Sequence, residues 1–426
     1  MRKVALWLTV PYLGAVLGIN IAIDGPAGSA VRIAGLPVFF FWTLTKIQEH
    51  RFRKLSPFHW GFLCFVLFNL LSMFWSIDAT NTYILFWKYV FILGMSIVLW
   101  DLYRTEDEAQ FGIIGFLVGA FIIFSQTLSN FVQKKAYFGT DRFGADGLHP
   151  NVVALVLAVA APLAWMFATN AKGKARWLGP ITYTFPLIAL FGIAITGSRG
   201  GAVASLPGFI YILVDLIKRP IGIPLVAAAV FFGFPAIAAQ PEIQNNFKRI
   251  TETLDGTSKE AANGRDLLLQ AGEEIFRRNP ILGVGATGFR TASVQMGMYE
   301  QHENGVVAGA HNTYVEVASE LGLVGLVIFL ATVIFAIRSL WSLPKPFRTP
   351  WMCGAFSFIV LMTYEHIEWR YFLWAYMSVG VCHAYSFLRE KPKLAATSVP
   401  VPSTAVRSPS PSRPEEMPGY GRGPRG

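Results

Sequence analysis

Charge is scarce in this sequence. Asp, Glu, Lys and Arg make up 15% of its 426 residues, against about 25% in soluble domains. With 53% hydrophobic residues and a mean hydropathy of +0.45, the chain is too apolar for a water-soluble globular protein. Cysteine is scarce too. Cys64, Cys353 and Cys382 all fall inside apolar runs, which argues against a disulfide framework and against a Cys-ligated metal. The alternating short-strand pattern of an outer-membrane barrel is missing, and no strong internal repeat stands out. No His-Glu-x-x-His or Asp-rich ligand set occurs, so neither a metal nor another cofactor is expected, although His302 and Glu303 stand near His311.

What the sequence does have is apolar runs of about twenty residues, the length needed to cross roughly 30 Å of hydrocarbon as a helix. Such windows lie near 4–23, 31–48, 58–77, 82–100, 111–132, 150–169, 177–196, 201–217, 221–239, 314–337, 351–367 and 371–388. A lone segment in lipid must satisfy its own backbone hydrogen bonds, so each reads as a helix. The expected fold is all-α: a polytopic membrane protein of about 12 transmembrane helices with one large outer-face loop. Met1-Arg2-Lys3 and the small residues of "PAGSA" (26–30) imitate a signal peptide, but further spans follow at once, and the first is read as uncleaved.

The basic residues set the orientation. With the N-terminus inside, the cytoplasmic connections hold 15 Lys/Arg, excluding the tail, and the short outer loops hold 5: Lys134, Lys135, Arg142, Arg199 and Arg370. That asymmetry follows the positive-inside rule with both termini cytoplasmic. It also absorbs most of the +10 net charge without any nucleic acid. The organisation becomes nine spans in 1–239, a large outer loop at 240–313, three spans in 314–389 and a Pro/Ser-rich cytoplasmic tail at 390–426, which is expected to be disordered. The loop suggests short amphipathic helices lying against the membrane surface. "PEIQNNFKRITETL" puts Ile243, Phe247, Ile250 and Leu254 on one stripe; "NGRDLLLQAGEEIFRRNP" offers Asn263 as N-cap and Pro280 as stop.

Several polar groups gather at the outer face. "GVGATG" (283–288) spells a dinucleotide fingerprint, but no strand precedes it and no βαβ unit surrounds it, so it reads as a tight turn after Pro280. Arg199, in the elbow "TGSRGGA", fits an interfacial anchor or a ligand contact made possible by its lean glycine neighbours. Arg142 lies in "TDRFGADGLHPN", a polar loop that ends at Asn151. Arg265 is expected to begin a helix, where a cation opposes the dipole, which hints at another partner. Lys88 sits inside the fourth span, either snorkelling or functional. Converging guanidinium groups suit phosphate or pyrophosphate borne by a lipid. His311 can act as a base near neutral pH, or simply sit at the interface. Asn312, Glu316 and Glu320 follow it along one helical face, and one of them could orient the imidazole. "YEHIEWRY" (364–371) reads as an interface anchor through Trp369 and Tyr371.

Taken together, the late outer loop, the "TGSRGG" elbow, "NPILGVGATGF" and "HNTYVEVASELGLVGL" resemble the bacterial O-antigen ligase and polymerase superfamily. The resemblance covers most of residues 1–390. It implies glycosyl transfer on the periplasmic face of the inner membrane, from an O-antigen glycan on undecaprenyl pyrophosphate to a lipid A-core sugar in ligases, or to another lipid-linked repeat in polymerases. The family's essential histidine maps onto His311, its loop arginine onto Arg265 and its elbow arginine onto Arg199. Arg142 and Asn151 match an earlier Arg-to-Asn pattern. These form the expected catalytic set, with Lys88, Asn312 and Glu316 as further substrate contacts; no metal, nucleotide or nucleic acid is called for. A secondary transporter is the alternative from another class, since many spans with intramembrane charges suit one as well.

Overall fold

A computed structural model describes residues 1–18, 30–137, 140–170, 177–220, 260–298, 309–367 and 370–397, with positions 224, 244 and 426; the side chains of 30, 260–265 and 389–397 are outside that description. Among the described residues the chain is helical, without strands. The helices are α1 (Arg2–Gly18), α2 (Ala30–Glu49), α3 (Pro57–Leu71), α4 (Ala79–Leu102), α5 (Glu106–Val132), α6 (Pro150–Asn170), α7 (Gly179–Thr196), α8 (Arg199–Ile217), α9 (Glu260–Arg278), α10 (Gly288–Gln295), α11 (Thr313–Trp341), α12 (Lys345–Met362) and α13 (Tyr371–Thr397). A short 3-10 turn, Ser72–Phe74, ends α3.

Local chemistry sets many of the helix ends. Asp78 caps α4 through Asn81 N–H, and Thr105 with Glu108 forms a reciprocal capping box on α5. Gly197 closes α7 in the left-handed region at φ 58°, and the next residue, Ser198, caps α8 by accepting from Gly201 N–H. Asn312 caps α11, its side-chain oxygen accepting from Tyr314 and Val315 N–H.

Among the described residues, seven helices are long and apolar enough to cross a membrane: Pro57–Phe74, α4, α5, α6, α7, α8 and α11. The protein is therefore a multi-pass membrane protein. The fuller expectation of about twelve spans meets the structure in part. Helix α1 has 17 residues, and α2, α12 and α13 carry Lys, Arg or Glu towards their ends. The span expected at 221–239 and the stripe at 243–254 fall outside the described residues, apart from the single positions 224 and 244. Two boundaries shift. Helix α9 begins at Glu260 rather than after Asn263, because Glu260-Ala261-Ala262 are good helix formers. Arg265 is thus in the second turn, not the first. Helix α13 continues to Thr397, past the expected end of the last span.

Helix α6 is the hub. Val152 to Phe167 is buried throughout, with α5, α7, α8 and α12 packed around it. Without a hydrophobic driving force between helices in lipid, close backbone approach stabilises such contacts. Against α1, Gly119 of α5 allows that approach: a Cβ there would lie 2.6 Å from Leu17 Cβ. An aromatic cluster ties α3, α4, α11 and α13 together, with Phe62 stacked on Trp374 at 3.8 Å and Tyr89 and Phe329 set edge-on or tilted around them.

The two ends of the bundle differ. At one end, Lys46 pairs with Asp101 (2.5 Å) and Glu49 (2.9 Å), Arg104 bonds both carboxylates, and Trp42 donates to Asp101. These charges are paired internally. At the other end stand the starts of α4, α6, α8 and α11 and residues 363–367 after α12. There the chain after α9 locks into a kink in α11. Gly322 leaves helical geometry (φ 66°, ψ −168°), and Leu323 and Val324 N–H bond the Pro280 and Ile281 carbonyls. Gly285 (φ 89°) presses on Ser76, and Ala286 exchanges hydrogen bonds with Ser72 and Thr82. "GVGATG" is therefore a bracket between α4 and α11.

Candidate functional site

At this second end, one carboxylate gathers side chains from across the sequence. Glu365, in the turn after α12, has a side chain only 6% exposed. Its Oε1 accepts from Asn151 Nδ2 at 2.5 Å and faces His149 Nδ1 at 3.3 Å. Its Oε2 faces His311 Nδ1 at 3.6 Å. Asn151 is itself held. Its Oδ1 accepts from Arg142 Nη2 (2.5 Å) and Ser198 Oγ (2.8 Å), while Arg142 Nε reaches the Thr196 carbonyl at 3.0 Å. The α5–α6 loop, the α7–α8 elbow and the turn after α12 thus meet on one buried acid.

His311 reaches that acid from a left-handed backbone, φ 48°. A non-glycine residue there costs of order 1 kcal/mol or more and persists only where surrounding structure imposes it. What imposes it is local. Asn312 caps α11, and Thr313 Oγ1 donates to the Glu365 carbonyl at 2.7 Å while accepting from Ile367 N–H at 2.9 Å. The entry to α11 and the 365–367 turn are stitched together, and His311 is presented to Glu365.

A second pair lies beside the first. The rings of His311 and His366 meet edge to face with centroids 5.3 Å apart, and His366 Nδ1 lies 3.8 Å from Glu316 Oε2. Glu316 also accepts from Ala310 N–H at 3.1 Å. Gly309 leaves room for these groups, since a Cβ would sit 3.0 Å from Glu316 Oε2.

Electrostatics separates the roles. Burial alone would raise the Glu365 carboxyl. The His311 and His149 imidazoles and the Asn151 amide outweigh burial and hold it at about 2, so Glu365 is a carboxylate at neutral pH. His366 goes the other way. Burial first, then the neighbouring His311, Arg370 and Arg290, depress it to about 3 against the pull of Glu365, so it stays neutral. The Tyr137 hydroxyl, whose ring is edge-on to His149, is pushed up by burial and by Glu365.

Placement of the expected residues is uneven. His311, Arg142 and Asn151 converge on Glu365. Arg199 opens α8, directly after Ser198, which bonds Asn151. Lys88 lies over the ring of Tyr371, the residue after Arg370, with Nζ 5.1 Å from the centroid. Asn312 is committed to capping α11, so its oxygen already holds two backbone donors. Glu316 serves His366 and Ala310. Glu320 accepts from Phe289 N–H at the start of α10. The Arg265 side chain lies outside the described residues.

Sequence reasoning missed Glu365, His366 and His149. The segment "YEHIEWRY" reads as an interface anchor, yet it supplies the central acid. Its Glu-His pair in a short turn between spans was the available signal. His149 stood unremarked in "GLHPN".

His311, Glu365 and His366 also form a group whose potential ligand atoms all lie within 4.8 Å of one another. Chemically, the centre offers a carboxylate-backed imidazole at a half-open mouth (His311 is 28% exposed), with guanidinium groups alongside. That suits proton removal from a hydroxyl next to an anionic group.

No curated protein sequence matches the chain. Residues 185–330, from α7 to the middle of α11, match the family model described as O-antigen ligase. Members of that family are glycosyltransferase-like enzymes of lipopolysaccharide biosynthesis, with lipid-linked glycans as substrates. The matched segment contains Arg199, Arg265 and His311 and stops short of Glu365. That match, over about a third of the chain, makes this segment similar to the O-antigen ligase family.

Proposed function

We propose that the protein is an O-antigen ligase, transferring a glycan from undecaprenyl pyrophosphate to a sugar hydroxyl of lipid A-core at the periplasmic face of the inner membrane. In this reading the Glu365 end of the bundle faces the periplasm, and both termini face the cytoplasm. The observation that carries it is the buried Glu365 carboxylate set 3.6 Å behind His311 Nδ1. A proton on Nδ1, directed at Glu365, leaves Nε2 as the basic nitrogen. That nitrogen removes the proton from the acceptor hydroxyl as its oxygen attacks the anomeric carbon. The imidazolium so formed is stabilised by Glu365. The glycosidic bond to the pyrophosphate breaks on the opposite side, and the anomeric centre inverts.

Negative charge then grows on the departing pyrophosphate. Arg199 and Arg265 are its proposed partners, with Arg142 and Lys88 adding to the positive field at the same end. Preorganised charge of this kind often lowers a reaction barrier more than any other effect in an active site. The donor is activated by its own pyrophosphate, so the scheme needs neither nucleotide nor metal.

The test is reconstitution. Purified protein in liposomes receives lipid-linked glycan with or without lipid A-core acceptor. Transfer that requires lipid A-core supports the ligase. Lengthening of the lipid-linked glycan without it identifies a polymerase. Neither product, with solute exchange in its place, would support a transporter.

A further inference from the structure

The cluster that orients His311 has a second chemical capacity. His311, Glu365 and His366 each bring a donor atom to within 4.8 Å of the others. Their outward connections are those of metal ligands. Glu365 Oε1 is fixed by Asn151 Nδ2 at 2.5 Å and flanked by His149, which leaves Oε2 turned to His311 at 3.6 Å. Glu316 stands behind His366, its Oε2 3.8 Å from Nδ1. A carboxylate next to a ligating imidazole is the usual outer partner that orients the ring. The two rings are already edge to face.

We propose that His311, Glu365 and His366 form a binding site for a borderline-soft divalent transition-metal ion of the zinc type, and that the ion inhibits the protein by occupying the imidazole. Two ring nitrogens and one carboxylate oxygen are a recurrent zinc set, with a fourth position open to water or to a substrate oxygen. Zinc holds such ligands at about 2.0–2.2 Å, so neighbouring donors end about 3.3–3.5 Å apart. The His311–Glu365 pair, at 3.6 Å, is nearly there. The His366 ring has to close by roughly 1 Å, a side-chain adjustment. Hard cations such as Mg²⁺ need octahedral oxygen ligands and find none arranged for them here. With the metal bound, the His311 lone pair is in the coordination bond and accepts no proton from a hydroxyl. Binding stands on the cluster alone; inhibition rests on the transfer reading above.

The experiment separates the two. Zn²⁺ binding to the purified full-length protein is measured in detergent by competition with a chromophoric chelator, with no glycan substrate present. His366→Gln and His311→Gln are compared, after gel filtration confirms that each is folded. One Zn²⁺ per chain is expected, weakened at least tenfold by either substitution, with Mg²⁺ unable to displace it. Zn²⁺ should also raise the thermal midpoint of the wild type more than that of either variant. Equal Zn²⁺ affinity in wild type and both variants would overturn the site. Binding without loss of transfer at saturating Zn²⁺ would overturn the inhibition and leave the site standing.

Discussion

Glu365→Gln isolates the charge behind His311 with little change of shape. Glutamine keeps the volume and retains an acceptor for Asn151 Nδ2, so the polar framework of Asn151, Arg142 and Ser198 has no reason to collapse. What disappears is the negative charge facing the imidazole. At 3.6 Å and an effective dielectric near ~20, attraction between that carboxylate and an imidazolium is about 4–5 kcal/mol as an upper bound. The ring is 28% exposed, and solvent screening reduces the realised share. A loss of about 3 kcal/mol in the transition state corresponds to roughly a hundredfold in rate. The free imidazole carries no such charge, so the effect falls on kcat. The assay is steady-state transfer with purified lipid-linked donor and lipid A-core acceptor, varying each. A kcat reduced about 10²-fold with donor KM changed less than about threefold is the expected result. A kcat within threefold of wild type would refute the claim that Glu365 stabilises the protonated base.

Three further outcomes follow from the same structure. The buried imidazole of His366 has its pKa at about 3 in the folded protein against 6.5 for an ordinary histidine, so the unfolded chain takes the proton first as pH falls. Stability present above pH 6.5 is then lost towards pH 3, by up to roughly 5 kcal/mol, while Glu365, held at about 2 against 4.5, adds a loss below pH 4.5; denaturant midpoints in detergent should fall with acid, and His366→Phe should flatten the limb between pH 6.5 and 4.5. Gly285→Ala places a Cβ 2.2 Å from Ser76 Cα at φ 89°, and should cost more than about 2–3 kcal/mol in thermal unfolding, whereas Gly297→Ala, with open space around it, should cost only about 1. At the far end, Asp101→Asn leaves the buried Lys46 ammonium with Glu49 as its remaining carboxylate and should destabilise by about 1.5–3 kcal/mol without changing the KM of the folded fraction.

The helices were legible because lipid imposes one rule along the chain: long apolar runs close their own hydrogen bonds. Capping residues such as Asp78, Thr105 and Asn312 then fixed where several of them start. The span count was less legible, since α2, α12 and α13 mix apolar stretches with charged ends. Of the site, His311 and Asn151 stood out through type and position. Glu365 did not, because its role depends on meeting Asn151, 214 residues away. In one dimension a Glu-His-x-Glu-x-Arg turn between spans looks like an interfacial anchor. Only packing of α6 against α12 and α8 brings it beneath His311. The left-handed turn at His311, which presents its ring to Glu365 after α12, has no signature in one dimension either.

The central claim is that His311 takes the acceptor's proton, and single-turnover transfer by His311→Gln tests it most directly. Preloading the reconstituted protein with radiolabelled lipid-linked donor and then adding lipid A-core separates chemistry from donor binding. The account predicts that donor still binds and that the rate of glycan appearance on lipid A-core drops by about 10²–10⁴-fold. Wild-type turnover in that variant would contradict it.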